Sequence, residues 1–267
     1  MNQTLAERFP HPDVRFSRKG ALDMVELSNR HGTAVVTTHG ATLLSYCPAD
    51  GDEVIWVSET AAYDGTKPVR GGIPVCWPWF GPYDPAALGP DPSDAGKKGH
   101  GIARYETWDV ESVRSVDDAT EVTLVLLPNE STRKAWPHDF ALRLVVTLGD
   151  TLRLALIGEN RSDREWLVSE ALHTYFKVAQ AAGMVIDGLD NTDYYDKLDQ
   201  SARHTQSGEL SLTTPIESVY VGHAGDVILR DGARDILMRQ DNGLTVVVWN
   251  PGAEGARGFA DMPDDQY

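Results

Sequence analysis

The chain has little cysteine, no long apolar run and a shortage of basic residues, and each shortage excludes a class of protein. Two cysteines, Cys47 and Cys76, occur among 267 residues, which is too few for a disulfide framework or a cysteine-rich metal site. No run of about 18 apolar residues is present, so the sequence predicts no membrane-spanning helix. Residues 1–12 hold one acid and two prolines without an apolar stretch, unlike a secretory signal. We therefore expect a cytoplasmic protein.

Basic residues are outnumbered by acids, but two stretches reverse this balance. The chain has 24 Lys and Arg against 40 Asp and Glu, a formal net charge of −16, so neither nucleic acid nor an anionic membrane is an expected partner. Residues 65–83 and 95–105 nevertheless contain no acid. Their cations and histidine are Lys67, Arg70, Lys97, Lys98, His100 and Arg104. An anionic ligand would need such local positive charge, although two loops that are basic by chance are the alternative.

Motifs of several enzyme classes are absent as well. The chain contains no G-x-x-x-x-G-K-[ST], no Rossmann glycine pattern, no H-E-x-x-H and no G-x-S-x-G. We therefore expect neither a metal nor a nucleotide cofactor.

The segments that are present favour β-structure throughout. They are rich in β-branched residues, or alternate apolar with polar, between Gly, Asp, Asn and Pro turns. The predicted strands are 33–38, 53–57, 121–127, 140–148, 152–157, 175–178, 184–186, 226–229, 235–238 and 244–249. Residues 149–151 are predicted to be a hairpin turn. The pattern indicates an all-β antiparallel sandwich with few short helices, in a single domain over residues 1–267. Residues 81–99 are predicted to be a loop that forms a rim or lid.

Residues 70–81 have an unusual composition: three glycines, two prolines, two tryptophans and a phenylalanine, with Arg70 as the only charge. A solvated loop would expose these rings, and proline cannot donate to a strand ladder. Rigid rings such as Trp79, beside flexible Gly71-Gly72 and a lone guanidinium, predict the lining of a pocket for a flat anion.

Two other segments carry side chains suited to acid–base chemistry and anion binding. In an extended segment His173 shares a face with Tyr175, which makes the imidazole a candidate general acid or base. A histidine satisfied in the core is the alternative. His100 and Arg104 lie among small residues, so Arg104 and Arg70 could together grip a phosphate. A surface turn is the alternative.

An acid-rich turn followed by aromatics occupies residues 188–197. Asp196 could hydrogen-bond sugar hydroxyls or a catalytic histidine, and a plain solvated turn is the alternative. The side-chain oxygens of this turn resemble those of a calcium-binding loop, but the glutamate that ends an EF-hand loop is missing.

Many blocks of the sequence resemble the glucose-6-phosphate 1-epimerase (D-hexose-6-phosphate epimerase-like) family, a branch of the galactose mutarotase-like superfamily. The blocks are 39–44, 54–58, 70–81, 99–104, 136–137, 170–176, 188–189, 195–197 and 248–251. The resemblance implies an antiparallel β-supersandwich with the sugar site in a cleft across one sheet. It also implies interconversion of the α and β anomers of glucose 6-phosphate without metal or nucleotide. We expect a small-molecule sugar phosphate as the ligand and a monomer as the working form.

The resemblance also implies roles for individual residues. His173 matches the family's catalytic histidine, which would protonate the ring oxygen of the hexose. Arg70 and Arg104 match positions associated with the phosphate and the sugar, and His100 matches a histidine in the same wall. Asp196 matches an acid expected near the sugar hydroxyls or His173.

One expected residue is missing from the sequence. In the family, a proton-abstracting glutamate lies on the final strand, a few residues beyond a motif that corresponds to 261–267 here, and the sequence ends at Tyr267. We therefore expect the final strand to be lacking and turnover by this chain to be impaired. Three explanations of the missing glutamate remain open: a shortened sequence, another base such as Glu170, or a non-catalytic module that binds or senses sugar phosphate. We favour the first, because the break falls inside a recognisable motif. A mutarotase for free sugars is a further alternative.

Overall fold

The computed structural model describes residues 3–89 and 98–262. They fall into two compact units, one formed by Met1–Val57 with Ala61–Tyr175 and the other by Ser58–Thr60 with Phe176–Tyr267. Both units are built almost entirely from antiparallel strands, and the helices are few and short, which confirms the predicted fold class. The prediction of a single domain stays a prediction.

The first unit contains two four-stranded antiparallel sheets and one two-stranded ribbon. One sheet has the order β1-β2-β3-β4, the second β6-β7-β8-β9, and the ribbon pairs β5 with β10. The strands are β1 (Val14–Lys19), β2 (Leu22–Asn29), β3 (Gly32–Thr37), β4 (Leu43–Pro48), β5 (Val75–Cys76), β6 (Asp109–Val116), β7 (Ala119–Leu126), β8 (Phe140–Leu148), β9 (Leu152–Asn160) and β10 (Ala171–Leu172). The helices are α1 (Leu5–Arg8), α2 (Pro85–Leu88), α3 (Glu130–Ala135) and a 3₁₀ turn at Ala103–Tyr105.

The core of the first unit follows from the two-residue period of its strands. In β8 every second side chain, from Phe140 through Leu142 and Leu144 to Leu148, is fully buried. The indoles of Trp77 and Trp108 pack into the same cluster. Burial of one such side chain stabilises a fold by about 1.5–3 kcal/mol.

The second unit contains two further four-stranded antiparallel sheets, with the orders β14-β11-β16-β17 and β13-β12-β15-β18. Its elements are β11 (Val185–Asp187), β12 (Asp193–Asp196), β13 (Ala202–Thr205), β14 (Leu210–Ser211), β15 (Ile216–Val221), β16 (Val227–Arg230), β17 (Asp235–Met238), β18 (Thr245–Asn250) and α4 (Gly252–Ala256). Leu189 and Tyr220 are fully buried in its core. The buried Tyr220 hydroxyl donates to Gln206 Oε1 at 3.0 Å, which satisfies it.

Two predicted strands are wrong. Residues 53–57 form only isolated bridges, because the Glu53 carboxylate accepts the backbone N–H groups of Tyr46 at 2.8 Å and Ile55 at 3.0 Å. Residues 175–178 are not a strand either. The chain leaves β10 at Leu172, and the backbone N–H and C=O of Tyr175 bond to separate segments.

The predicted loop 81–99 is only partly described. It contains α2, whose first turn is capped by the carboxylate of Asp84 accepting from Ala86 N–H at 2.9 Å. Residues 90–97, which include Lys97, lie outside the described residues. Residues 263–267, which end the motif at 261–267, also lie outside them. The rim or lid role therefore stays a prediction. Within residues 3–89 and 98–262, no helix has the length and apolar character needed to cross a membrane.

Candidate active site

The segment of residues 70–76 runs antiparallel to the segment of residues 171–175. Ala171 pairs with Cys76 and Leu172 with Val75. Beyond that ribbon, the N–H of His173 donates to the Pro74 carbonyl at 3.0 Å. Side chains two residues apart in an extended segment share a face. The rings of His173 and Tyr175 accordingly lie side by side, with centroids 4.9 Å apart and planes at 19°, as the sequence predicts.

Close backbone approach explains the Gly-Gly pair at the start of the first segment. Gly71 has a φ of +99°, and a Cβ there would lie 2.5 Å from the carbonyl oxygen of Trp56. Gly72 has a φ of +76°, and its Cβ would lie 2.5 Å from the carbonyl oxygen of Leu43. Only glycine fits both positions without displacing backbone.

His100 reaches the same place from another loop. Its backbone N–H donates to the Gly81 carbonyl at 2.7 Å, and the Gly81 N–H donates back to its Nδ1 at 3.0 Å. Nδ1 is therefore an acceptor, so the neutral ring carries its proton on Nε2. The ring meets that of His173 edge to face, with centroids 5.7 Å apart. The ring of Phe80 packs against its other side at 4.9 Å.

Two guanidinium groups complete the cluster. Arg104 lies in the 3₁₀ turn, where its Nη2 donates to the Gly99 carbonyl at 2.8 Å and to the Tyr105 hydroxyl at 3.3 Å. Arg70 hydrogen-bonds the hydroxyl of Tyr175. Both guanidinium groups are close enough to His173 to disfavour its protonated form. The structure thus brings Arg70, His100, Arg104 and His173 together.

Burial and the positive charge of this cluster together shift the pKa values of its side chains. Burial lowers the pKa of His173 to about 4, and the charges of His100, Arg104 and Arg70 act in the same direction. A hydrogen bond between the imidazole and the backbone of His173 itself has a weaker, opposite effect. Burial and Arg104 lower the pKa of His100 to about 4. Burial raises the pKa of Tyr175 despite the nearby guanidinium of Arg70. At neutral pH both imidazoles and the phenol are therefore uncharged, while both guanidinium groups remain cationic.

Two other predicted site residues are placed differently. Trp79 is 1% exposed, and its Nε1 donates to the Lys98 carbonyl at 3.1 Å. The contact predicted between this ring and the substrate stays a prediction. Asp196 ends β12 in the second unit, where its Oδ1 accepts from Leu198 N–H at 2.9 Å. Its role at a sugar stays a prediction.

Two aromatic residues beside the cluster could not be recognised as its neighbours from the sequence alone. Trp56 stacks on Tyr175 with centroids 5.8 Å apart. The Tyr105 ring lies beneath the ammonium group of Lys98 at 5.1 Å and the guanidinium of Arg104 at 5.2 Å, so it orients two cations at once. Among the described residues, no group of three or more His, Cys, Asp and Glu side chains could hold a metal ion.

Comparisons with known proteins show the family to which the chain belongs. The family model described as aldose 1-epimerase matches residues 23–267. A protein of Escherichia coli strain K12, provisionally named a glucose-6-phosphate 1-epimerase, is 33% identical over 249 residues, covering 92% of this chain and 80% of the relative. A protein of Cenchrus ciliaris with the same provisional name is 28% identical, covering 97% and 79%. The crystal structure of a provisionally named mutarotase from Salmonella typhimurium superposes with a TM-score of 0.86 at 30% identity, covering 97% and 84%.

Proposed function

The chain belongs to the aldose 1-epimerase family, and on that premise we propose that it interconverts the α and β anomers of glucose 6-phosphate. The observation that carries the proposal is the clustering of Arg70 and Arg104 around the imidazole of His173. Relatives named for glucose 6-phosphate support the choice of substrate.

Electrostatics favour a substrate that carries a phosphate group. The chain carries a net charge of −16, so its general field repels an anionic substrate. Arg70 and Arg104 reverse that field locally, and planar guanidinium groups match phosphate oxygens in a fork. A free sugar would gain little from two cations, whereas a sugar phosphate gains charge-assisted hydrogen bonds.

Anomer exchange needs two proton transfers. A proton goes to the ring oxygen as its bond to the anomeric carbon breaks, and another leaves the anomeric hydroxyl, which becomes the aldehyde. Rotation about the bond between the first two carbons and the reverse transfers close the ring on the other face. We assign the first proton to His173, and the Nε2–H of His100 to a hydrogen bond with a sugar oxygen.

Phosphate binding and proton delivery are linked in this scheme. In the empty site burial above all, and then the charges of His100, Arg104 and Arg70, lower the pKa of His173 to about 4. A bound phosphate dianion offsets Arg70 and Arg104, so it raises this pKa towards neutrality and lets the imidazole carry the proton that it delivers. Binding of the substrate thereby favours the protonated form of the imidazole that acts as the acid.

The second proton requires a base. The family resemblance assigns it to a glutamate beyond residues 261–267. Partial burial of the Glu170 carboxylate raises its pKa. Strand geometry gives no reason to place this carboxylate beside His173, because β10 ends at Leu172, between the two residues. We therefore do not assign the base to Glu170.

The family description itself favours a second candidate, a mutarotase for unphosphorylated aldoses. Exchange NMR on equilibrated glucose 6-phosphate and on glucose, with and without the protein, separates the two. We expect the acceleration for the phosphate ester to exceed that for glucose. Equal acceleration favours the free-sugar activity, and binding of the ester without acceleration favours a sensing module.

A further inference from the structure

The ring of Tyr175 stacks on two other flat rings, those of Trp56 and His173. Its plane makes an angle of 25° with Trp56 and 19° with His173. Tyr175 is 7% exposed, so the stack is supported from inside the protein. One face of the imidazole is thereby fixed by a ring that does not itself titrate near neutral pH.

The backbone holds Tyr175 from both sides. Its N–H donates to the Gly72 carbonyl at 2.9 Å, and its carbonyl accepts from Trp56 N–H at 2.8 Å. Gly71 allows the Trp56 backbone to come this close, because a Cβ there would collide with it. The tyrosine is therefore anchored before any ligand arrives.

The hydroxyl of Tyr175 makes a separate connection. It accepts a hydrogen bond from the guanidinium of Arg70. A long arginine side chain loses rotamer freedom when it binds a ligand, and a pre-formed bond reduces that cost. One side chain thus touches both the proposed anion binder and the proposed acid.

We propose that Tyr175 is a positioning residue with two separable tasks: its hydroxyl orients Arg70 for the phosphate, and its ring orients the imidazole of His173 for proton transfer. This inference rests on the function proposed above. The hydroxyl is expected to affect substrate binding and the ring to affect turnover.

Two substitutions separate the tasks. Tyr175→Phe removes the hydroxyl and keeps the ring, whereas Tyr175→Leu removes both. Tyr46→Phe is the matched control, because Tyr46 is a half-buried tyrosine of the same unit whose hydroxyl interacts with the backbone of Leu152. Three quantities are measured: affinity for inorganic phosphate by calorimetry, the NMR titration midpoint of His173, and KM and kcat for anomer exchange.

For Tyr175→Phe we expect phosphate affinity to fall about threefold to tenfold and KM to rise in parallel, since ordering one long side chain costs about 0.5–1.5 kcal/mol. Its kcat and the His173 midpoint should stay close to those of the unsubstituted protein. Tyr175→Leu should add a fall in kcat and an upward shift of the midpoint, because water then reaches the imidazole. Tyr46→Phe should change none of the three quantities.

Phosphate affinity that is unchanged in Tyr175→Phe, or that falls equally in Tyr46→Phe, overturns the inference even if Tyr175→Leu fails to fold. A folded Tyr175→Leu protein with an unshifted His173 midpoint also overturns it. The phosphate and NMR measurements do not depend on turnover. If they behave as expected and glucose 6-phosphate is not anomerised, the proposed function fails while the positioning role stands.

Discussion

The imidazole rings of His100 and His173 meet edge to face, with centroids 5.7 Å apart and planes at 88°. Two imidazolium ions at this separation repel each other, and Arg104 adds positive charge beside both. The pair therefore resists double protonation. In the proposed mechanism, a phosphate dianion on the substrate stabilises the proton that His173 donates.

Replacement of His100 should release part of this repulsion. In His100→Gln the side-chain oxygen can still accept from the Gly81 N–H, but a titratable neighbour is gone. We expect the pKa of His173 to rise from about 4 towards its usual range, as measured by the NMR titration of its ring protons. His138→Gln is the control, because His138 does not contribute to the shift of His173. An unchanged midpoint in His100→Gln contradicts the coupling.

Loss of a guanidinium should discriminate between phosphorylated and free sugars. We expect Arg104→Met to weaken binding of glucose 6-phosphate about tenfold to a hundredfold, the cost of a lost charge-assisted hydrogen bond. Glucose binding should change little. Arg15→Met removes the same charge from an exposed pair with Glu26 in the same unit and should leave both affinities unaltered. Equal losses for the two sugars in Arg104→Met would remove the phosphate role.

Substrate binding should be accompanied by proton uptake. The pKa of His173 lies at about 4 in the empty site, and a bound dianion raises it, so between the two values the complex holds more protons than the free protein. Calorimetry in buffers of different ionisation heats counts these protons. The phosphate itself titrates near neutrality, so the informative quantity is the difference between the unsubstituted protein and His173→Asn. We expect uptake to be larger in the unsubstituted protein; identical proton numbers would refute the linkage.

Gly71 should be less tolerant of substitution than a glycine with similar backbone dihedral but open surroundings. Gly71→Ala places a Cβ 2.5 Å from the Trp56 carbonyl, whereas Gly81 has a φ of +77° and nothing within 4 Å of its Cβ position. Left-handed strain costs about 1–3 kcal/mol at either site. We expect Gly71→Ala to lose additional free energy of unfolding because backbone must move. Denaturant unfolding of both variants measures this, and equal losses would contradict the close approach.

Much of the fold could be read from the sequence because burial in a strand repeats every two residues. The alternation of residues 140–148 predicts β8 with the bounds that it has, and residues 235–238 likewise predict β17. The strand predicted at residues 53–57 fails for a local reason. The side chain of Glu53 takes backbone N–H groups that a ladder would need, and composition does not reveal where a carboxylate will bond.

The site was predictable in part, for similar reasons. The pairing of His173 with Tyr175 on one face follows from the alternation of side chains in an extended segment. The acid-free stretches and the resemblance both pointed to Arg70, His100 and Arg104. The stacking of Trp56 on Tyr175 joins residues 119 positions apart, and no local spacing indicates it. The burial of Trp79 could not be read from the sequence, because the exposure of an aromatic residue in such a segment is decided by packing.

The account is tested most directly by exchange NMR of glucose 6-phosphate anomers in the presence of the protein and of its His173→Asn variant. Thermal unfolding shows that both are folded. Faster exchange with the unsubstituted protein than with a variant of the same unfolding temperature is the predicted result. Equal exchange rates with the two proteins would remove His173 from the mechanism and contradict the account.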